Sequence, residues 1–416
     1  MLRYRYRVYP TIDQQAAISR LFGCVRVAYN DALAARKAHY AATGQYLPTK
    51  MVSAALTAAK QTPEREWLTE VSSVPLQQAI ADLDSAYRNF FDCVTRKRKG
   101  KKVGPPQFRR KSAAGSARFT SNARFKLRQV NTSRALLNLP KIGDLPVVYS
   151  RPLPAAPTSV TLIREADGRY YASFVVNPAQ ELTVVAHDPT QMASARSAGV
   201  DLGLTDFAAI TYSDGSREKI DAPRFYRKAQ RKLARAQREL ARRMKGSKNR
   251  AKARVKVAKV HRKIRDQRLE FTRKLAVRLA RENQTVAVET LNIGGLAKTR
   301  LGKSIHDAGW ARFITELHHA GDKYGCAVLG IDQWMPTSQV CSCCGVKDGK
   351  KVLTVRVWEC SGCGARLDRD YNAAVNIMLA AGLAESLNDC GGNVRRALAS
   401  AVPGEAVTAL WPQPNR

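Results

Sequence analysis

Four cysteines in two Cys-x-x-Cys pairs, fifteen residues apart (Cys341, Cys344, Cys360, Cys363), run almost directly into the acidic segment Asp368-Arg-Asp-Tyr-Asn372. Two such pairs offer four thiolates to one tetrahedral Zn²⁺ and leave no open coordination position. The spacing therefore predicts a structural zinc ribbon rather than a catalytic metal. Gly345 and Gly364, one after each pair, allow the tight turns that such knuckles need. Cys343 is a spare thiol at the wrong spacing for a knuckle. Cys24, Cys93, Cys326 and Cys390 are scattered and read mostly as small buried hydrophobes.

A different set of acids surrounds this ribbon. Asp201 lies in Gly199-Val-Asp-Leu-Gly-Leu204 and Glu289 in Val286-Ala-Val-Glu289, each near the end of an apolar strand-like run. An unpaired charge there is costly, so each needs a partner. Singly, either acid fits a strand-end cap or an ion pair. Together with the Asp368/Asp370 helix start, the acids supply the all-oxygen ligand set with which two Mg²⁺ ions promote phosphodiester hydrolysis. Asp368 and Asp370 both stay open as the third ligand. As helical neighbours two apart they point about 200° from one another, so one joins the cluster, and Asp370 is favoured.

Seventy Lys and Arg against 34 Asp and Glu give a net charge of +36, which implies a polyanionic partner, most simply nucleic acid. The charge is concentrated. Residues 224–278 hold 23 Lys and Arg against Glu239, Asp266 and Glu270. Val257, Val260, Ile264, Phe271, Leu275 and Leu279 recur there at helical spacing, so a helical hairpin broken at 245–249 is predicted. One face packs. The other, with Arg231, Lys232, Arg235 and Arg238, carries a single sign of charge that solvation alone does not require and nucleic acid does. Arg3, Arg5 and Arg7 on an alternating opening strand, and the basic loop 96–102, are further candidate contacts. His261, His306, His318 and His319 lack ligand spacing and read as surface or packing residues. No apolar run reaches the ~18 residues of a spanning helix, and the opening residues lack a secretory apolar segment. A cytoplasmic, reducing location without membrane is expected, where paired cysteines bind metal instead of oxidising.

At 416 residues the chain should form two or more domains. Thr11 and Gln14 fit a capping box that opens a helix carrying Ile18, Leu21, Phe22, Val25, Tyr29 and Leu33; a second helix carries Leu76 to Val94. Residues 11–115 thus read as a helical module. From 116 to 180, prolines and short alternating runs, with a hairpin turning at Ala166-Asp-Gly168, suggest the strands of a barrel. A linker near 180–196 leads to strand, turn and strand over 198–221. After the basic hairpin come the Glu289 strand, a helix near 305–324, a strand over 326–332, the ribbon, a helix near 370–382 and a tail, 385–416, expected to be disordered.

These residues resemble TnpB, the transposon-encoded nucleases related to type V CRISPR effectors. The resemblance rests on Gly199-Val-Asp-Leu-Gly-Leu-Thr-Asp-Phe-Ala208, Val286-Ala-Val-Glu-Thr-Leu-Asn-Ile-Gly-Gly-Leu296, Thr337-Ser-Gln-Val-Cys-Ser-Cys-Cys-Gly345 and Asp368-Arg-Asp-Tyr-Asn-Ala-Ala-Val-Asn-Ile377. It extends to the opening helices and to Leu387-Asn-Asp-Cys-Gly-Gly392, and covers nearly the whole chain. It implies a multidomain α/β protein: an RNase H-like RuvC nuclease domain (197–332 and 364–384) with an inserted ribbon (333–363), and a β-barrel wedge domain (1–10 and 116–180) interrupted by a helical recognition module (11–115). Asp201, Glu289 and Asp370 would bind two catalytic Mg²⁺ ions, and the four cysteines one Zn²⁺. A guide RNA derived from the transposon end would direct a monomeric ribonucleoprotein to cut double-stranded DNA beside a short transposon-adjacent motif, with pairing reading the target. Leu367 stands where the family often has His, and Cys343 adds a thiol; neither departure touches the acids. Two rivals use the same scaffold: a DNA transposase or accessory transposition protein, and a catalytically silent RNA-guided repressor. Against the repressor, a pure binder has no need of three carboxylates among so many bases.

Overall fold

The computed structural model describes residues 1–177 except 99, 112 and 113, and residues 196–383 except 353. The expected linker lies outside the described residues apart from Arg196, and the tail from 385, with Cys390, lies wholly outside them. The chain divides into two compact units, Met1–Leu182 with Ala236–Lys259, and Thr183–Arg235 with Val260–Arg416.

In the first unit the Arg/Tyr alternation forms β1 (Leu2–Val8), which buries Tyr6 and Val8 while Arg3 and Arg5 stay exposed. It sits mid-sheet. Six further strands, β2 (Gly115–Thr120), β3 (Lys126–Gln129), β4 (Arg134–Leu139), β5 (Gly143–Val148), β6 (Pro157–Arg164) and β7 (Tyr170–Val176), complete an antiparallel sheet in the order β2-β6-β7-β1-β5-β4-β3. Thr11 and Gln14 exchange both bonds of a capping box to start α1 (Ile12–Thr43), followed by α2 (Thr49–Ala59) and α3 (Ser73–Val94). Leu21 and Leu33 of α1, Leu76 and Leu83 of α3, and Phe119 and Phe174 of the sheet belong to one hydrophobic core. Helices and strands are therefore two layers around a shared interior. Arg36 of α1 is buried there, ion-paired to Asp84 of α3, whose carboxylate also accepts from the Thr49 hydroxyl at 2.7 Å.

The basic stretch forms α4 (Phe225–Arg242) and α5 (Lys248–Glu282), broken where the glycine-containing segment predicts. Arg250 closes the turn by donating to the carbonyls of Leu240 and Arg243 at 2.8 and 2.7 Å, a cation placed on the negative end of α4.

In the second unit β8 (Ser197–Leu202), β9 (Asp206–Tyr212) and β10 (Arg217–Asp221) run antiparallel. Two parallel strands, β11 (Thr285–Glu289) and β12 (Ala327–Ile331), extend the sheet beyond β8 to give β10-β9-β8-β11-β12. Between β11 and β12 lie α6 (Ile293–Leu296), α7 (Gly302–Ala308) and α8 (Trp310–Tyr324). The single helix expected over 305–324 is thus two, because Gly309, at φ 76°, ends α7 in the left-handed region. Asp307, at the end of α7, accepts from the backbone N–H groups of Tyr226 and Arg227 at 2.7 and 3.0 Å, capping α4 from outside. The ribbon strands β13 (Val357–Glu359) and β14 (Arg366–Asp368) lead into α9 (Arg369–Ala380). No helix among the described residues is long and apolar enough to cross a membrane.

Strand periodicity then decides which residues meet. Ala198, Val200, Val286 and Val288 point to a core with Leu275, Leu279, Phe313 and Leu317 of α5 and α8. The alternate residues, Gly199, Asp201, Ala287 and Glu289, therefore belong to the opposite face. There Ala287 and Ile331 pack against Ile377 of α9. A Cβ on Gly199 would collide with the Ala374 carbonyl and crowd Met378, so glycine lets α9 lie directly on β8. Gly199→Ala is expected to lift α9 from the sheet and cost about 1–3 kcal/mol by overpacking. A urea-unfolding midpoint equal to wild type would show that α9 does not depend on this contact.

Candidate active site and metal centre

Asp201 lies one residue from the end of β8 and Glu289 is the last residue of β11. Ala287 pairs with Gly199 and Val288 with Val200 in parallel register, so the next step along both strands sets Glu289 beside Asp201. Adjacent strands lie about 4.8 Å apart, which brings the two acids onto one face as close neighbours. Both occupy the carboxyl ends of parallel strands, where open α/β sheets place their ligand sites. Asp370 enters from the first turn of α9, which packs over that face.

The electrostatics follow. Burial holds the Asp201 carboxyl well above the ordinary carboxylate range, and the charges of Glu289 and then Asp370 push it further, against Arg369 and Lys219. Burial also raises Glu289, opposed by the Thr337 hydroxyl, which donates to it at 2.6 Å. An acid whose ionisation burial and two neighbouring carboxylates oppose, in a set that offers only oxygen donors, has the donor chemistry that suits a hard divalent cation.

The choice between Asp368 and Asp370 has a geometric side. Asp368 is not helical. It is the N-cap of α9, accepting from the N–H groups of Asp370 and Tyr371 at 3.0 Å, and it pairs with Lys219 at 2.8 Å. Burial works against its charge, yet the Lys219 ammonium and those N–H groups hold its carboxyl below the ordinary range. Asp370 contacts Lys219 and Arg356, each at 3.4 Å, and adds its charge to Asp201. Lys219, on β10, and Arg356, in the ribbon, escaped the sequence reading because no local pattern distinguishes them among 70 bases.

In the ribbon, the sulfurs of Cys341, Cys344, Cys360 and Cys363 all lie within 4.8 Å of one another. The Cys341–Cys363 and Cys344–Cys360 separations are 3.8 and 3.5 Å. Four sulfurs about 2.3 Å from a tetrahedral Zn²⁺ stand about 3.8 Å apart, so the cluster fits zinc. Cys343 is not in it. Its N–H and that of Gly362 instead donate to the sulfurs of Cys341 and Cys360, both at 3.4 Å. Gly345 and Gly364 turn the knuckles at φ 76° and 71°.

A buried polar network joins ribbon and acids. Asn372 and Asn376, one turn apart on α9 and each 2 % exposed, both donate to the carbonyls of Thr337 and Val340. The Asn372 side-chain oxygen accepts from the Ser342 N–H at 2.8 Å. The segment so held carries the Thr337 hydroxyl that touches Glu289 and leads straight into Cys341. Two asparagines four apart in a helix that is otherwise apolar after Tyr371 were the available signal.

Of the basic candidates, Arg231, Lys232, Arg235 and Arg238 are exposed along α4, and Arg3 is exposed on β1. Arg5 is already ion-paired to Glu165 at 2.6 Å and lies 3.8 Å over the Tyr171 ring; Arg7 donates to the Tyr170 carbonyl at 3.1 Å.

Comparison with known proteins adds the following. Residues 180–300 match the OrfB/IS605 family described as "Probable transposase", residues 310–377 a "Cas12f1-like, TNB domain", and residues 1–45 a "Helix-turn-helix domain", where the structure has one strand and one continuous helix. A "Putative RNA-guided DNA endonuclease" of Streptomyces pristinaespiralis is 41% identical over 99% of this chain and 96% of its own length. The similarly named InsQ of Escherichia coli (strain K12) is 28% identical, over 91% of each chain. Among solved structures, a Cas12f1–sgRNA–target DNA complex contains a chain of the same fold, with a TM-score of 0.53 at 14% identity over 88% of this chain and 82% of that one.

Two measurements probe the metal readings. With its carboxyl raised above the usual 3.8, Asp201 penalises the metal-free fold once ionised; the penalty is absent at low pH and grows as pH rises from 3.8 through the raised value. Asp201→Asn should therefore be more stable than wild type in chelator at neutral pH, by ~2–4 °C in Tm per 1 kcal/mol relieved, with the gap closing on acidification. Mg²⁺ should raise the wild-type Tm and leave the variant's nearly unchanged. A variant less stable at neutral pH would mean that the carboxylate is already well compensated. For the ribbon, Cys341→Ser should reduce bound zinc well below the one equivalent expected of wild type and lower stability. Unchanged zinc by elemental analysis would remove the Cys₄ assignment.

Proposed function

The chain belongs to the TnpB family of RNA-guided DNA endonucleases, and we propose that it hydrolyses double-stranded target DNA at Asp201, Glu289 and Asp370. The observation that carries this reading is the convergence of three carboxylates from two parallel strands and a covering helix, in a chain otherwise dominated by positive charge. Those residues would hold two Mg²⁺ ions, which when bound supply the positive charge that activates a water and stabilises the leaving 3′ oxygen. Asp201 and Glu289 provide the rigid part of the site, each fixed by its strand. The Thr337 hydroxyl orients Glu289. Asp368 holds the first turn of α9, so that Asp370 faces the pair. Arg356, half exposed, is placed to meet a substrate phosphate. The four cysteines would hold one structural Zn²⁺.

The remaining assignments follow the same premise. The seven-stranded sheet serves as the wedge barrel (1–10 and 116–180), and the helices within 11–115 as its recognition module. Residues 197–332 and 364–384 form the RuvC nuclease domain around the ribbon, 333–363. A guide RNA from the transposon end lies along the exposed basic residues of α4, Arg231, Lys232, Arg235 and Arg238, with Arg3 as a further phosphate contact. Base pairing reads the target, and the protein reads a short adjacent motif. The working particle is a monomeric ribonucleoprotein in the cytoplasm.

Purified protein should carry a defined, protected RNA, and with it cut a target flanked by randomised sequence at one enriched motif in Mg²⁺. Recovery of element-end DNA in place of RNA would instead favour a transposase. Asp370→Ala should abolish cleavage while guided target binding survives. Asp368→Ala removes an N-cap, costs about 1 kcal/mol of stability and retains measurable cleavage. The reverse pattern would move the third-ligand role to Asp368.

A further inference from the structure

The segment joining β12 to the ribbon is fixed at both ends to Glu289. Ile331, at its start, pairs with Glu289 in the parallel register of β12 and β11. Thr337, at its end, donates its hydroxyl to the Glu289 carboxylate. Between them the chain turns sharply: Asp332 accepts from the Trp334 N–H at 3.1 Å through its side chain and from the Met335 N–H at 3.2 Å through its carbonyl. Met335 packs inward beside Ala287, Ile331 and Ile377. Its neighbour Trp334 does the opposite and is 81% exposed. Trp334 is three residues from each anchor, and three residues span at most about 11 Å. The Cα of Trp334 therefore lies within about 11 Å of those of Ile331 and Thr337, the two residues set against Glu289.

A large aromatic ring left in water on a turn that Ile331, Met335 and Thr337 hold in place has no packing role in the described structure. No aromatic ring or cation stacks on it among the described residues. Every nucleobase has an apolar face that such a ring can cover, independently of sequence, wherever a strand near the acids is unpaired. We propose that Trp334 is a stacking platform for a base of the single DNA strand threaded into the Asp201–Glu289–Asp370 site. It holds that strand in place while the adjacent phosphate lies at the acids. The assignment rests on the nuclease reading of the site, and it makes Trp334 a substrate-binding residue with no part in proton transfer or metal ligation.

The test uses the full ribonucleoprotein, in an Asp201→Asn background so that substrate is not consumed. Single 2-aminopurine bases are walked along either target strand and, separately, along the guide RNA. One or two adjacent DNA positions should show fluorescence quenched by the protein, and Trp334→Ala should relieve that quenching, with Trp334→Phe restoring it. In a cleavage-competent chain, Trp334→Ala should lower kcat/KM on short single strands by ~5- to 150-fold, the range for losing one base–aromatic stack, and Trp334→Phe should recover most of it. The Tm and the bound zinc should not change. Three outcomes overturn the proposal: quenching that survives Trp334→Ala, relief confined to the guide RNA, or a fall in Tm that makes Trp334 a packing residue. Failure of the nuclease reading looks different. The unsubstituted chain would then cut nothing, while the quenching experiment still reports whether Trp334 binds a base.

Discussion

The repulsion that Glu289 and Asp370 exert on the buried Asp201 is the interaction on which the second unit turns. Nothing about folding alone favours it: burial and like charge both oppose ionisation of Asp201. The cluster persists because each acid is positioned by structure that is stable for other reasons. The apolar faces of β8 and β11 fill a core with α5 and α8, and strand alternation then obliges Asp201 and Glu289 to share the far face. Helix α9 covers that face because Gly199 lets its backbone approach and Asp368 caps its first turn. Repulsion that costs stability in the metal-free chain becomes affinity once a divalent cation neutralises it, as general for clustered carboxylates.

The ribbon is more than an appendage on this arrangement. Its first knuckle begins at Cys341, immediately after the segment that Asn372 and Asn376 clamp, and that same segment reaches Glu289 through Thr337. Metal in the ribbon would order the knuckle and with it this segment, whose Thr337 hydroxyl holds the Glu289 side chain. Buried amides fully paired to backbone carbonyls specify one geometry, because any other would leave them unsatisfied in a dry interior. The turn that carries Trp334 runs into this segment at Thr337, whose carbonyl both asparagines hold.

Much of this was legible in the chain. The capping box at Thr11 and Gln14, the alternating strand of Arg3, Arg5 and Arg7, the break after α4 and both knuckle glycines are local signals, and local signals survive folding. The acids at strand ends were legible because charge inside an apolar run demands a partner. What escaped was non-local. Lys219 meets Asp368 across 149 residues, and Arg36 meets Asp84 across 48, with nothing in either neighbourhood to single out the base. Helical periodicity sets Asp368 and Asp370 about 200° apart only if both are helical, and Asp368 is not. The actual N-cap geometry of Asp368 follows from where β14 ends, which helical periodicity does not report. Gly309 divided an expected helix for a related reason, since the left-handed turn is set by packing on both sides.

The cations around the acids are unevenly distributed, and the unevenness has a consequence. Lys219 and Arg356 both sit on the Asp370 side, where Lys219 also satisfies Asp368. Among the described residues Glu289 receives a neutral hydroxyl and no cation, and Asp201 feels Lys219 and Arg369 without either overcoming burial. The strand-borne pair is therefore the uncompensated part of the cluster, while the helix-borne acid already has partners that it must exchange. A divalent cation held there would gain most beside Asp201 and Glu289, the two residues that strand register sets side by side. For Asp370 to complete such a set its contacts to Lys219 and Arg356 would have to loosen, releasing Arg356 from its ion pair while Lys219 keeps Asp368.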